Sequence, residues 1–408
     1  MTLHLQKTYT KALSKIAITG SKSEANRLLI LQALYPNIKI ENLSNSDDSS
    51  LMKKALASDE QLVDIHHAGT AMRFLTAYFS IKEGRETTLT GSARMKERPI
   101  GILVDALIAL GADISYLEND GFPPLKIRGM KLTKHKVRLK ANVSSQYISA
   151  LLLIASSLEN GLELILEGKI TSVPYIKMTL SLLDQIGVKN SFEGNVITIK
   201  PKQGKLKSET LVVESDWSSA SYFYSIVALS EVGAKIELSS YKKDSLQGDS
   251  ILGEIYRQFG VETSYSENNI TLSKTSIVDK NSKINLDLSN APDIAQTISV
   301  TAFGLGLSCH LTGLHTLKIK ETDRLVALQN ELSKLGANIS VTNDSLVLDV
   351  SDTINSEIEI ETYKDHRMAM AFAPLALKTS ILIKEANVVS KSYPDFWRDL
   401  THIGFQIK

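Results

Sequence analysis

The chain has 408 residues, 43% of them hydrophobic, with 46 Lys+Arg against 45 Asp+Glu and a formal net charge of +1. Without a Lys/Arg-rich tail, that balance offers no electrostatic footprint for nucleic acid. No apolar run reaches the length of a bilayer span and the segment Met1–Tyr9 lacks a signal-peptide core, so a soluble cytoplasmic protein with no membrane partner is expected.

In chain order, Ile16–Leu31 reads as a short strand that meets Gly20, followed by a helix beginning near Ser21 or Ser23. Free N–H groups at that helix start, the Ser23 hydroxyl, Lys22 and Arg27 one turn later suit an anion. The spacing is not that of a Walker loop. Ile38–Asn42 and Leu51–Leu56 then open a pattern that recurs: a β-rich strand, a polar loop, an amphipathic helix, a glycine and a second strand. Stronger copies are Thr87–Gly91 with Ile102–Ile114, Leu162–Glu167 with Met178–Val188, and the stretches Ile251–Val261, Leu325–Ala337 and Phe396–Phe405. In each of these the glycine stands where a helix ends in a left-handed residue, so these are helix stops and not phosphate loops. At roughly 70-residue intervals such copies exceed ordinary solenoid repeats and read as six small α/β units.

Between the halves, the polar stretch Lys200–Glu209 is the nearest thing to a linker, and Val212–Ser221 opens a long apolar helix that Asp216 or Ser218 would cap. The expected division is residues 1–19 with 215–408 in one domain and 20–214 in the other. The single cysteine, Cys309, lies in an apolar stretch and reads as a buried small hydrophobe. No cluster of His, Cys and carboxylates shows metal-ligand spacing, so neither a metal nor another cofactor is expected. Taken alone, Asp293 after Pro292 reads as a helix cap, Ser144-Ser-Gln146 as a cap that also faces ligand, Asp365-His-Arg367 as a solvated charge cluster, and His66-His67 as a loop pair.

Four short segments set Lys or Arg beside Ser, Thr or a carboxylate: Gly20–Arg27, Arg94–Pro99, Lys320–Arg324 and Asp365–Arg367. In a chain otherwise charge-balanced, such local cations suit a substrate bearing phosphate and carboxylate, because guanidinium forks bind both anions.

With Ala68–Arg73, Leu89–Ile100, Ser144–Gln146, Pro292-Asp293, Asp365–Met370 and Lys391–Asp395, the segments Gly20–Arg27 and Lys320–Arg324 resemble, in order, the signatures of the EPSP synthases among the enolpyruvyl transferases. The resemblance runs from about residue 16 to 398. It implies a two-domain inside-out α/β barrel built from six βαβαββ repeats, with the active site in the cleft between the domains. It also implies transfer of the enolpyruvyl group of phosphoenolpyruvate to the 5-hydroxyl of 3-phosphoshikimate by addition and elimination, on the way to chorismate and the aromatic amino acids, by a monomer that uses no cofactor. Carried over residue by residue, it assigns 3-phosphoshikimate to Lys22, Ser23, Arg27, Ser144, Ser145, Gln146, Ser172, Tyr175, Asp293 and Lys320. Phosphoenolpyruvate falls to Lys22, Gly69, Thr70, Arg98, Gln146, Arg324, Arg367 and Lys391. Asp293 would be the base and Glu321 the main proton-shuttling partner, with Lys22 and His366 supporting the departing charge.

Three positions depart from the family pattern: His67 and Thr316 where Asn is common, and Phe74 where Pro is frequent. Two other readings stand beside this one. A UDP-N-acetylglucosamine enolpyruvyl transferase characteristically uses a loop cysteine, and a non-catalytic sensor of anionic metabolites would not require Asp293, Glu321 and His366. An RNA 3′-phosphate cyclase, built from related units, would need a nucleotide site and nucleophilic His that no segment supplies.

Overall fold

The computed structural model describes residues 1–11, 13–140, 144–168, 170, 172–204 and 208–408. By its internal contacts the chain forms two units, Gly20–Val213, and Met1–Thr19 together with Glu214–Lys408. Within the polar stretch Lys200–Glu209, positions 205–207 lie outside the described residues.

The first of these units carries one strand order twice. Leu62–Asp64, Glu86–Thr90, Leu125–Arg128 and Asp113–Tyr116 are neighbours in that order, and so are Lys136–Lys140, Leu162–Glu167, Val196–Ile199 and Asn190–Glu193. In each sheet the first pair is parallel and the other two are antiparallel. Parallel neighbours need a crossover, and a helix supplies it: Gly69–Ser80 in one sheet and Ser145–Ala155 in the other. A third, two-stranded sheet pairs Ile38–Glu41 with Glu209–Val212 in parallel.

The second unit repeats this order in Leu13–Ile16, Lys235–Ser239, Asn269–Lys274 and Val261–Ser266, and again in Lys283–Asp287, Ser308–Thr312, Leu346–Leu348 and Ile339–Val341. Its third sheet is Ile358–Ile360, Ile381–Ile383 and Leu3–Leu5. The result is an α/β fold of repeated βαβαββ-like units.

One helix of each unit is buried along almost its whole length. Gly69–Ser80 is buried at every position, and Trp217–Leu229 at every position except Ser218. Polar side chains on so buried a helix need partners inside the unit, and Arg73 and Thr76 find them in the Gly69 and Met72 carbonyls. Strands alternate instead: in Lys136–Lys140 only Val137 and Leu139 turn inward, as a sheet with one wet face requires. No helix among the described residues is long and apolar enough to cross a membrane.

The glycines read as helix stops, Gly111, Gly187, Gly260, Gly336 and Gly404, all have positive φ. Asp216 caps Trp217–Leu229 by accepting from the Ser219 N–H at 2.8 Å, and Ser144 caps Ser145–Ala155. Two expectations fail. The first strand ends at Ile16 and does not run on to Gly20. The stretch Ile251–Val261 is no continuous helix: 3₁₀ turns at Gly248–Ile251 and Tyr256–Phe259 flank a single α-turn, Leu252–Ile255. Gly253 weakens the helix there, while the buried Tyr256 ring is packed against Tyr224 and Phe259.

The chain re-enters the second unit at Glu214, 4% exposed. Its carboxylate accepts hydrogen bonds from Trp217 Nε1 (2.8 Å), the Lys242 N–H (2.9 Å), Ser245 Oγ (2.6 Å) and Gln247 Nε2 (3.2 Å). Glu214→Ala strands these donors in a buried site and should destabilise this unit by about 3 kcal/mol. Both tryptophans, Trp217 and Trp397, lie in it, so urea unfolding followed by tryptophan fluorescence reads the loss. An unchanged midpoint would mean that the cluster is incidental.

Candidate active site

In the unit Gly20–Val213, the helix Lys22–Leu34 starts after Gly20, where a Cβ would run into the Asn42 carbonyl oxygen. Lys22 and Ser23 are half-buried in its first turn, and Arg27, one turn on, is 2% exposed. Arg27 donates from Nε to Thr179 Oγ1 (2.8 Å), from Nη1 to the Ser23 carbonyl (2.7 Å) and from Nη2 to Ser149 Oγ (2.9 Å). Its guanidinium lies over two rings, 5.4 Å from the Phe74 centroid and 5.9 Å from that of Tyr175. Burial lowers its pKa to about 10, so it stays charged, yet every acceptor it bonds among the described residues is uncharged.

Arg73 is in the same position. It is 4% exposed, donates to the carbonyls of Gly69 (3.1 Å) and Pro99 (3.0 Å), and is lowered to about 10 by burial and then by Arg98. The Arg98 guanidinium packs directly on Gly69, where an added Cβ would collide with it. Gln146 reaches Thr70 Oγ1 at 3.3 Å. Ser172 precedes the helix Val173–Gln185 with φ 54°, a left-handed conformation that non-glycine residues rarely adopt outside functional or strained sites. Of the residues expected here, Ser23, Arg27 and Tyr175 form one group, and Gly69, Thr70, Arg98 and Gln146 sit about the start of Gly69–Ser80. This unit thus holds buried cations on neutral acceptors, the electrostatic setting of an anion site.

The other unit holds an acid–base constellation. Arg324, 1% exposed, donates from Nη1 to Asp293 Oδ1 (2.8 Å), from Nη2 to Glu321 Oε2 (2.9 Å) and from Nε to Asp365 Oδ2 (2.7 Å). Burial opposes its charge, but Asp365, Glu321 and Asp293 outweigh that and raise its pKa. Around Asp293 stand Lys320 Nζ (3.3 Å from Oδ1) and Arg367 Nη2 (3.3 Å from Oδ2). Burial would raise the Asp293 carboxyl; Lys320, Arg367 and Arg324 overcome it and hold Asp293 well below the usual carboxylate range. Lys320 itself is lowered, by burial first, with Asp293 pulling the other way.

Asp365 caps the helix His366–Phe372, accepting from the Arg367 N–H at 2.9 Å. His366 is buried beside it, Nδ1 lying 3.8 Å from Asp365 Oδ1. Tyr363 and Lys364, just before the cap, both have positive φ, and Lys391 Nζ donates to the Lys364 carbonyl at 2.7 Å. That bond ties Lys391 to the loop that presents Asp365 and Arg367. Asp293 is no cap: it sits in the 3₁₀ turn Pro292–Ile294 with its side chain on cations.

Reading the sequence missed several participants. Asp365 was assigned no role, although its place before His366 marks a cap. Ser149, Thr179 and Asp249 were missed, and nothing local signals them; Ser218, offered only as an alternative cap, adjoins Arg367, as Asp249 does. Arg324, expected on phosphoenolpyruvate, is engaged by three carboxylates. Thr316 Oγ1 is buried without a hydrogen-bond partner among the described residues, and His67 Nε2 lies 3.9 Å from Asp47 Oδ2. Cys309 is buried and its thiol is pushed up to about 12 by burial, which makes it an inert core residue. Among the described residues, no group of three or more His, Cys, Asp or Glu could hold a metal ion.

A family model for EPSP synthase (3-phosphoshikimate 1-carboxyvinyltransferase) matches residues 53–400. The chain is 47% identical over 398 residues to a 3-phosphoshikimate 1-carboxyvinyltransferase of Bacteroides fragilis (strain YCH46), covering 96% of each. It is 36% identical over 425 residues to one from Shewanella pealeana, covering 97% of each. Among solved structures, an EPSP synthase from Acinetobacter baumannii superposes with a TM-score of 0.80 at 20% identity, covering 100% of this chain and 99% of that one. The enolpyruvyl transferase NikO from Streptomyces tendae gives 0.76 at 13% identity, covering 100% and 98%. At such identities the structures speak to fold alone.

Replacing Arg324 by Lys keeps one charge but loses the fork that reaches three carboxylates. Arg324→Lys should destabilise its unit by about 2 kcal/mol or more, because buried carboxylates lose their partner. Tryptophan fluorescence in urea measures this, and a wild-type midpoint would show that the three bonds contribute little.

Proposed function

The chain belongs to the EPSP synthase family of enolpyruvyl transferases, and on that basis we propose that it moves the enolpyruvyl group of phosphoenolpyruvate to the 5-hydroxyl of 3-phosphoshikimate, releasing phosphate. The observation that carries this reading is the pair Asp293 and Glu321, held by one guanidinium at 2.8 and 2.9 Å beside Lys320 and Arg367. An acid and a base set among cations fit a reaction between two anions that needs two proton transfers.

In the proposed addition, Asp293 takes the proton of the 5-hydroxyl while its oxygen attacks C2 of phosphoenolpyruvate. Glu321 delivers a proton to the methylene carbon, which becomes a methyl group, and a tetrahedral ketal results. In the elimination the bond from C2 to the phosphate oxygen breaks as the departing phosphate takes up the proton held by Asp293, the methyl group returns a proton to Glu321, and the vinyl ether and phosphate leave. Lys22 and His366 support the charge on the departing groups.

Asp293 held so far down is a weak base. Substrate anions that engage Lys320 and Arg367 would weaken their hold on it and raise its affinity for the 5-hydroxyl proton. Binding would thereby activate the base.

For the substrates, Ser144, Ser145, Ser172 and Lys320 are assigned to the 3-phosphate, Ser23 and Arg27 to the shikimate carboxylate, and Tyr175 to the ring, with Gln146 shared. Lys22, Gly69, Thr70, Arg98, Arg324, Arg367 and Lys391 are assigned to phosphoenolpyruvate. For Arg324 the assignment requires its remaining N–H groups, since three bonds are already committed. The buried arginines on neutral acceptors support the carboxylate and phosphate sites. The proposal includes closure of the repeats into inside-out α/β barrels and a cytoplasmic monomer that feeds chorismate synthesis.

Phosphate release from phosphoenolpyruvate plus 3-phosphoshikimate tests the reading; release only with UDP-N-acetylglucosamine would overturn it, as would no release at all. Asp293→Asn and Glu321→Gln keep shape and remove proton transfer, so each should lower kcat on the order of 10²- to 10⁴-fold while 3-phosphoshikimate affinity changes little. Equal losses of affinity with unchanged turnover would make these carboxylates structural.

A further inference from the structure

Asp249 lies in the 3₁₀ turn Gly248–Ile251, 2% exposed, and nothing above uses it. It does not serve its own turn as a cap, since that turn begins at Gln247 without a side-chain cap. Its Oδ2 accepts the hydroxyl of Ser218, and its Oδ1 is buried with no hydrogen-bond partner among the described residues. Ser218 is the one position of Trp217–Leu229 that is not buried. Its Oγ accepts from Arg367 Nη2 at 3.3 Å, and Arg367 Nη1 donates to the Asp293 carbonyl at 3.1 Å.

The polarity of this chain is determined by its ends. A guanidinium only donates and a carboxylate only accepts, so the single Ser218 proton must point to Asp249, leaving the Ser218 lone pairs to Arg367. A neutral Asp249 would no longer demand that proton, and the hydroxyl would lose its reason to face Arg367 with a lone pair.

We propose that Asp249 is a positioning residue for the transfer reaction, acting through Ser218 to hold the Arg367 guanidinium where it meets both Asp293 and phosphoenolpyruvate. The proposal rests on the function assigned in the preceding subsection. The groups facing Asp249 are Asp293 from the turn Pro292–Ile294, Arg367 from His366–Phe372, and Asp216 and Ser218 from the start of Trp217–Leu229. Burial and the Asp293 charge raise its pKa to about 6, with Arg367 and the Ser218 bond opposing and Asp216 adding to the rise. Being raised, the carboxyl is protonated below that value and charged above it, so its hold on Ser218 is full at neutral pH and fades on acidification.

The test measures kcat and KM for phosphoenolpyruvate in wild type, Asp249→Asn and Ser218→Ala from about pH 5 to about pH 8. Titration of the substrate phosphates is common to all three proteins and cancels in the ratio of wild-type to variant kcat/KM. For Asp249→Asn that ratio should be about tenfold at neutral pH, carried mainly by KM, because a charge-assisted bond in the relay is lost. It should fall towards one below about pH 5, where wild-type Asp249 is itself neutral. Ser218→Ala leaves the acid in place and should give the same neutral-pH rise in KM, which decides the matter if Asp249→Asn does not fold. A ratio independent of pH, or a wild-type KM in Ser218→Ala, would overturn the role of Asp249 while leaving the reaction standing. A wild-type protein that releases no phosphate would overturn the reaction, and this proposal with it.

Discussion

The constellation around Asp293 depends on one buried guanidinium. Arg324 binds Asp293, Glu321 and Asp365 at 2.7 to 2.9 Å, and each carboxylate comes from a different strand-to-helix connection. Asp293 follows Lys283–Asp287, Glu321 follows Ser308–Thr312, and Asp365 follows Ile358–Ile360. Three loops are thereby tied at a single point. Ion pairs this buried add little to stability when intact, but breaking one leaves an uncompensated charge. The arrangement is therefore better understood as fixing geometry than as strengthening the fold. It fixes Asp293 and Glu321, the two groups proposed to move protons, relative to each other.

The repeat explains why so many polar residues share one kind of position. Every assigned residue sits on the connection between a strand and the helix that follows it, or in the first turns of that helix. Gly69 and Thr70 begin Gly69–Ser80, Arg98 precedes Gly101–Leu110, Ser144 precedes Ser145–Ala155, and Ser172 precedes Val173–Gln185. In the other unit Asp216, Asp249, Asp293, Glu321, Asp365 and Lys391 occupy the corresponding connections. At these connections the helix starts present N–H groups without an intrahelical partner, a natural place for anions. The two units differ in what they hold: one has buried cations on neutral acceptors, the other carboxylates restrained by cations.

Much of the fold was legible because local signals decide it. The helix-ending glycines show the positive φ that their position demands, and the caps Asp216 and Ser144 stand where a short polar side chain precedes an apolar run. The grouping of Lys320, Glu321 and Arg324 was legible for the same reason, all three falling within five residues. What stayed hidden is tertiary. Asp365 lies 41 positions from the Arg324 it binds, and Asp249 31 positions from Ser218, and no periodicity encodes either pairing. Phe74, noticed only as a departure from Pro, proves to lie beneath the Arg27 guanidinium. The broken helix at Gly248–Phe259 reflects packing of Tyr256 that overrides a periodic apolar pattern.

In the proposed reaction Glu321 passes a proton to and from the methylene carbon, so the most direct measurement is the mass of the product formed in D₂O from phosphoenolpyruvate and 3-phosphoshikimate. A transient methyl group made by protonation from solvent-exchanging carboxyls predicts deuterium in the vinyl methylene of the product. Phosphate release with a vinyl group free of deuterium would contradict addition and elimination, and with it the role given to Glu321.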